Sequence, residues 1–150
     1  MKINVFSIVK NDSFNGIYQD FIKQCKSFNA VVCLWDIFNA SIAKAQKSSS
    51  FEAQKSYTQA FLPHLRQENN YALHPKGKLL DSFAFSKLLE DKNEVCFFVG
   101  GAYGFEEEFL QHTQIISLSP LTFSHQVAKM ILCEQIYRAL SIIAKHPYHK

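Results

Sequence analysis

Two short segments of this 150-residue chain are apolar at every position. Residues 95–99 read VCFFV and residues 30–35 read AVVCLW, without the polar alternation of a strand that has one face in water. Between such runs lie segments with apolar residues at helical spacing, as in residues 14–28. Strands that alternate with helices predict an α/β fold, with a mainly parallel sheet and helices on both faces.

The patterns along the chain predict five strands and six helices. Ser13 is expected to cap the first helix, residues 48–50 (SSS) to separate the second from the third, and Ser82 to open the fourth. Residues 74–77 (HPKG) are predicted as a turn that ends the third strand. The strands are placed at residues 1–9, 30–35, 71–73, 95–99 and 115–118. The helices are placed at residues 14–28, at two segments within 40–66, and at 82–89, 105–112 and 124–145.

Length and composition predict one domain spanning residues 1–150, since single cores commonly hold roughly 100–200 residues. A chain that is 47% hydrophobic with a formal net charge of +3 is too apolar and too weakly charged to be disordered. The apolar stretch within residues 1–10 is too short to be expected as a secretory leader, and no run approaches the roughly 18 apolar residues of a membrane span. We therefore expect a cytoplasmic protein whose cysteines, without a Cys-x-x-Cys pair, are buried or inert thiols: Cys25, Cys33, Cys96 and Cys133.

The net charge is concentrated at the end of the chain. Residues 1–122 hold twelve basic and twelve acidic side chains, whereas residues 123–150 hold four basic side chains against Glu134 alone. The same segment carries His125, His146 and His149. We expect residues 123–150 to be the part of the chain that meets phosphate or RNA.

Three loops are candidate ligand sites, because ligands of parallel sheets bind beyond the carboxyl ends of the strands. They follow Leu73, Val99 and Leu118. The loop at residues 100–104 (GGAYG) lets the backbone approach a ligand, but it matches neither the dinucleotide-binding nor the P-loop pattern. In isolation, a tight strand-to-helix turn without a ligand is the better interpretation of this loop. The loop at residues 117–125 has hydroxyls that could read a purine edge or cap the following helix.

The last helix and the tail hold a second candidate group. Glu134 and Arg138 lie four residues apart on one helical face, and Arg138 is one of two arginines in the chain. They form either an ordinary surface ion pair or part of a binding site. The tail suits base stacking and phosphate contact better than metal binding: His146, Pro147, Tyr148, His149 and Lys150.

Together these segments resemble the RlmH family, SPOUT-class methyltransferases that methylate N3 of a pseudouridine in 23S ribosomal RNA. The resemblance spans the whole chain, and the order and spacing of its motifs are specific. It rests on residues 1–10 (MKINVFSIVK), 73–78 (LHPKGK), 98–104 (FVGGAYG), 118–123 with His125, 134–139 (EQIYRA) and 147–150 (PYHK).

The resemblance implies a C-terminal trefoil knot, which is a rare exception to unknotted folds, and a homodimer with S-adenosylmethionine as its cofactor. Its target lies on the assembled ribosome, where the dimer would dock. No metal and no membrane partner are expected. Matching positions imply these cofactor contacts: Leu73, Gly100, Leu118, Ser119, Pro120, Leu121, Thr122 and Phe123.

The substrate side is implied at Arg138, Tyr148 and His149, supported by His125 and Glu134 and contributed across the dimer. An imide N3–H is a poor nucleophile until its proton leaves. Our hypothesis is that Tyr148 or His149 takes or relays this proton and that Arg138 stabilises the developing imidate oxygen. Glu134 would orient Arg138.

Three positions depart from the family pattern. His74 stands where an acidic residue is usual, Ser124 where proline is usual, and Lys129 where arginine is usual. Two other functions stay open. One is a knotted dimer that binds the ribosome or a nucleotide without catalysis. The other is a phosphate-ester hydrolase that uses His146 and His149 with a metal, which chelators would inhibit.

Overall fold

The computed structural model describes residues 1–150. Its strands are β1 (Lys2–Ser7), β2 (Val31–Asp36), β3 (Asn70–Leu79), β4 (Glu94–Val99) and β5 (Gln114–Ser117). Its helices are α1 (Asn15–Cys25), α2 (Ala40–Ser48), α3 (Ser50–Phe61), α4 (Ser82–Ser86), α5 (Glu107–Leu110) and α6 (His125–Ile143). All strand pairings are parallel, in the order β2-β1-β4-β3-β5. The predicted α/β fold with a parallel sheet is confirmed.

The sheet carries helices on both faces, as predicted. In β4, Val95, Phe97 and Val99 pack with side chains of α1, α4 and α6, whereas Cys96 and Phe98 pack with those of α2, α3 and α5. These five side chains are at most 3% exposed. A strand buried on both faces has no position for a polar side chain, which explains the VCFFV run. The trefoil knot stays a prediction.

Serine caps set two of the predicted helix boundaries. Ser49 before α3 and Ser124 before α6 each accept a hydrogen bond from the backbone amide three residues on, at 3.1 and 3.4 Å. The cap predicted at Ser13 is wrong, because the N-cap position of α1 is Phe14 and no side chain caps this helix; Asp12 Oδ1 accepts from the Phe14 amide at 2.9 Å. Helices α4 and α5 are shorter than predicted, at five and four residues. None of the helices is both long and apolar enough to cross a membrane.

The third strand continues through the segment that was predicted to end it. β3 pairs with Ile116 of β5 first through Leu73 and again through Lys78, so residues 74–77 loop out of the ladder. Gly77 runs so close to β5 that a Cβ there would lie 2.6 Å from the carbonyl carbon of Ile116. Proline and glycine mark a bulge here rather than a terminal turn.

All four cysteines are free, and Cys25, Cys96 and Cys133 are buried. Burial raises the pKa of Cys25 and of Cys133 to about 12, so both thiols stay protonated at neutral pH. The expectation of buried thiols is confirmed for these three residues, whereas Cys33 is half-buried.

Candidate active site

A cavity of about 580 Å³ opens at the carboxyl ends of β3, β4 and β5. Three loops contribute to its wall, from residues 73–75, 99–105 and 117–125, and Ala128 of α6 adds to it. The volume falls in the usual range of small-molecule sites, roughly 300–1,000 Å³. The cavity lies where a parallel sheet is expected to bind its ligand.

Seven of the eight predicted cofactor contacts line this cavity. Pro120 belongs to the same loop but does not line it. Sequence reasoning missed Phe105, which directly follows the glycine loop, and Ala128, which reaches the cavity only through the docking of α6. That these residues hold a cofactor stays a prediction. The seven are Leu73, Gly100, Leu118, Ser119, Leu121, Thr122 and Phe123.

The glycine loop is packed tightly against α3. A Cβ on Gly101 would lie 2.7 Å from the Tyr57 ring, and one on Gly100 would lie 3.1 Å from the Phe105 ring. Tyr57 is fully buried, and its hydroxyl accepts a hydrogen bond of 2.6 Å from Gln46 Nε2. A side chain at Gly101 would displace the buried Tyr57 ring, and one at Gly100 would make its neighbours shift by a few tenths of an ångström. The backbone of the loop therefore forms the cavity wall.

Hydroxyl groups shape the loop between β5 and α6. Ser117 Oγ donates to the Ser119 carbonyl at 2.8 Å, and Ser119 Oγ accepts from the Leu121 amide at 3.1 Å. Ser124 caps α6 and also lines the cavity, so helix capping does not exclude a ligand role. No carboxylate lines the cavity, and His74 is among the lining residues.

A second polar group, the Arg138 group, lies at the far end of α6. Arg138 Nη2 and Nε donate to Glu134 Oε1 at 2.6 and 3.1 Å, and the Tyr148 hydroxyl donates to the same oxygen at 3.0 Å. The guanidinium carbon lies 4.8 Å from the centre of the Tyr148 ring. Glu134 thus orients both Arg138 and Tyr148.

His149 completes the Arg138 group. Its Nδ1 atom lies 3.3 Å from Arg138 Nη1. Because a guanidinium only donates hydrogen bonds, Nδ1 is the acceptor in this contact, which requires the tautomer with its proton on Nε2. The hydrogen bond to Glu134 raises the pKa of Arg138, and burial together with Glu134 raises the pKa of Tyr148. Arg138 and Tyr148 therefore keep their protons at neutral pH.

His125 lies apart from the other predicted catalytic residues. It lines the cavity at the first turn of α6, where burial lowers its pKa. Arg138 is thirteen residues further along, which separates the two by about 20 Å at 1.5 Å per residue. One chain therefore does not bring the cavity and the Arg138 group together.

Lys129 does not contribute to a basic surface, contrary to the prediction for residues 123–150. Its side chain is 1% exposed, and Nζ lies 2.6 Å from Asp12 Oδ2 and 2.7 Å from Asp36 Oδ1. Nζ also lies 4.5 Å from the centre of the Tyr18 ring. Because α6 packs against α1, Asp12 before α1 and Asp36 at the end of β2 neutralise part of the C-terminal charge.

Both histidines of the tail contact side chains that do not bind metals. No group of three or more His, Cys, Asp or Glu side chains lies close enough together to hold a metal ion. His146 packs edge-on against Phe28, with 5.6 Å between the ring centres, and His149 faces Arg138.

Comparison with known proteins identifies the class. A family model described as "Predicted SPOUT methyltransferase" matches residues 1–149, and the chain belongs to the SPOUT methyltransferase family. It is 54% identical over 151 residues to a protein of Helicobacter pylori strain J99, and 56% identical over 153 residues to one of strain Shi470. A Helicobacter hepaticus protein is 47% identical over 153 residues. Each comparison covers 100% of both chains. All three relatives are named Ribosomal RNA large subunit methyltransferase H, which confirms the resemblance to the RlmH family.

Proposed function

We propose that this chain is an S-adenosylmethionine-dependent methyltransferase that methylates N3 of a pseudouridine in 23S ribosomal RNA. It works in the cytoplasm as a homodimer, acts on the assembled ribosome, and uses residues 1–150 as one knotted SPOUT domain. The observation that carries this proposal is a cofactor-sized cavity at the predicted loops together with the Arg138 group, in a chain of this family.

The cavity suits S-adenosylmethionine, which supplies an electrophilic methyl group when bound. Leu73, Leu118 and Phe123 offer apolar surface of the kind that an adenine ring needs, and Ser119 and Thr122 add hydroxyls. The glycine loop adds backbone groups that no side chain shields. Since no carboxylate lines the cavity, backbone groups and hydroxyls are left to meet the ribose and the amino group.

The distance between the cavity and the Arg138 group supports a site shared by two chains. In a two-fold symmetric dimer the same patch of each chain meets its copy, so crossed α6 helices would set each Arg138 group beside the other chain's cavity. Apolar side chains on β3, α4 and the loop before α6 are available for such a contact. They are Leu79, Phe83 and Leu121, which are 57%, 56% and 70% exposed.

The Arg138 group has the parts needed to manage the N3 proton. When the substrate oxygen takes the hydrogen bond from Arg138 Nη1, the lone pair of His149 Nδ1 is released and accepts this proton. Glu134 holds the guanidinium in place while the charge develops on the oxygen. Tyr148 keeps its proton because of its raised pKa and acts as a hydrogen-bond donor.

The direct test uses ribosomal RNA. We expect mass spectrometry of 23S rRNA to detect one N3-methylated pseudouridine in cells that hold the protein and to find it unmethylated in cells that lack it. Purified protein with S-adenosylmethionine should restore the methyl group on ribosomes from the deficient cells faster than on free rRNA. Protein that binds those ribosomes without restoring the methyl group would be the non-catalytic module instead.

A shared site predicts that two inactive variants rescue each other. Gly101→Ala disturbs the cavity because its Cβ would lie 2.7 Å from Tyr57, and Arg138→Ala removes the substrate group. When the two are co-expressed, half of the dimers are mixed and each holds one intact site, so about a quarter of wild-type activity should return. Gly16→Ala is the matched control, since nothing lies within 4 Å of its Cβ. A mixture that stays inactive would show that each chain builds its own site.

A further inference from the structure

One face of the edge strand β2 has no helix packed on it. Val32 and Leu34 belong to the core beneath α1, whereas Val31, Cys33 and Trp35 lie on the opposite face. No residue of β2 belongs to the apolar cluster on that face. Val31 and Trp35 are 54% and 48% exposed. An apolar strip one strand wide is therefore open to solvent.

Trp35, the only tryptophan of the chain, is held in a fixed orientation. Its indole Nε1 donates to Asn4 Oδ1 at 3.3 Å, and its ring lies at 16° to that of Phe6, with 6.3 Å between centres. Asn4 is 1% exposed and donates in turn to Glu94 Oε1 at 2.8 Å. Half of a rigid indole thus faces water, with little entropy left to lose on binding.

Cations outnumber anions at one end of this strip, around Glu94. Glu94 Oε1, which anchors Asn4, lies 3.3 Å from Arg66 Nε and 3.9 Å from Lys2 Nζ, so two cations share one carboxylate. Their side chains are 39% and 50% exposed. Asp36, next to Trp35, shares the cation of Lys129 with Asp12. The excess of positive charge is therefore confined to the end of the strip around Glu94, where Lys2 and Arg66 lie.

We propose that this face, consisting of Val31, Trp35, Lys2 and Arg66, binds an unpaired nucleotide of ribosomal RNA next to the modified one. The inference rests on the proposed function, which supplies the RNA. A base stacks on the open side of the indole while the two cations meet backbone phosphates. A second copy of this chain is disfavoured as the occupant, because a symmetric contact would bring the same cations together.

The position of the strip suits such a contact. Trp35, Phe6 and Phe98 are in register across β2, β1 and β4, which puts Trp35 about two strand spacings, roughly 10 Å, from Phe98. Phe98 directly precedes Val99 and Gly100 of the cavity. The stacked base and the methylated base would thus lie within a few nucleotides of each other.

The test compares exposed aromatic residues on ribosomes from cells that lack the protein. Trp35→Ala should raise the KM for these ribosomes about tenfold, as expected for the loss of one stacked base, with the affinity for S-adenosylmethionine unchanged. Trp35→Tyr should stay near wild type. Phe51→Ala, which removes a ring that is 62% exposed on α3, is the matched control and should leave KM unaltered. Lys2→Gln with Arg66→Gln should flatten the salt dependence of ribosome binding by roughly 1.4 units of log–log slope.

A measurement on the wild-type protein tests the inference without depending on whether a variant folds. Ultraviolet cross-linking of the bound protein should give a nucleotide adduct on the peptide that carries Trp35. Adducts confined to other peptides, or a cross-link from Trp35 to a ribosomal protein, would overturn the inference. So would an unchanged KM for folded Trp35→Ala in an assay where the wild type methylates. Failure of the wild type to bind S-adenosylmethionine or to methylate would count against the proposed function instead.

Discussion

Replacing Arg138 with alanine should lower methyl transfer to ribosomes by roughly 10²–10³-fold, the usual cost of removing one donor from a developing oxyanion. The affinity for S-adenosylmethionine should not change, because Arg138 does not line the cavity and is assigned to the substrate oxygen rather than to the cofactor. Glu134 and His149 would lose their common partner. Single-turnover rates and calorimetric titration with the cofactor measure the two effects separately.

Two further variants separate the geometry of Arg138 from its charge. Arg138→Lys keeps the cation but cannot hydrogen-bond Glu134 and His149 from one planar group, so its rate should fall between those of alanine and wild type. Lys44→Gln removes an exposed cation on α2, outside residues 123–150, and should leave the rate unaltered. Full turnover by Arg138→Ala would refute the assignment, and a loss of cofactor affinity would move Arg138 to the cofactor site.

Replacing Lys129 with methionine should destabilise the protein by about 3–5 kcal/mol, since one partner of a buried ion pair is removed. Methionine fills much of the same space but leaves Asp12 and Asp36 facing each other without a cation. The Asp12 side chain is only 8% exposed, so water does little to compensate. Urea unfolding at neutral pH gives the free energy of unfolding for both proteins.

The pH dependence of the stability loss in Lys129→Met shows whether the lost charge or altered packing causes it. Burial alone would raise the pKa of Asp12, but the hydrogen bond and the charge of Lys129 bring the pKa below its ordinary value. A carboxyl with a lowered folded pKa stabilises the protein above its unfolded pKa and loses this effect as the pH falls through the folded value. The difference in free energy of unfolding between wild type and Lys129→Met should therefore become smaller below about pH 4. Lys129→Arg, which keeps the charge, should lose much less stability. A difference in free energy of unfolding that does not change with pH would indicate a packing defect.

Much of the fold could be predicted from local patterns, while the site could be predicted only in pieces. The apolar runs in β2 and β4 are stable only when they are buried. The serines before α3 and α6 can each accept a hydrogen bond from a backbone amide of the following helix. The bulge in β3 escaped prediction because proline and glycine suit a turn equally well, and only pairing with β5 distinguishes them. Lys129 was predicted to lie on a basic surface for a similar reason. Helical spacing along α6 does not show that Asp12 and Asp36 lie beside it.

The ion pair between Asp12 and Lys129 joins residues 117 positions apart in the chain. Contacts of such long range form slowly, since most of the polypeptide must be ordered before the ends meet. During synthesis the first strand and helix leave the ribosomal tunnel well before α6 does. Until then Asp12 and Asp36 lack their cation, and α6 has not yet closed the cavity wall. The last helix to be synthesised therefore completes both the contact of Lys129 with Asp12 and Asp36 and the wall of the cavity.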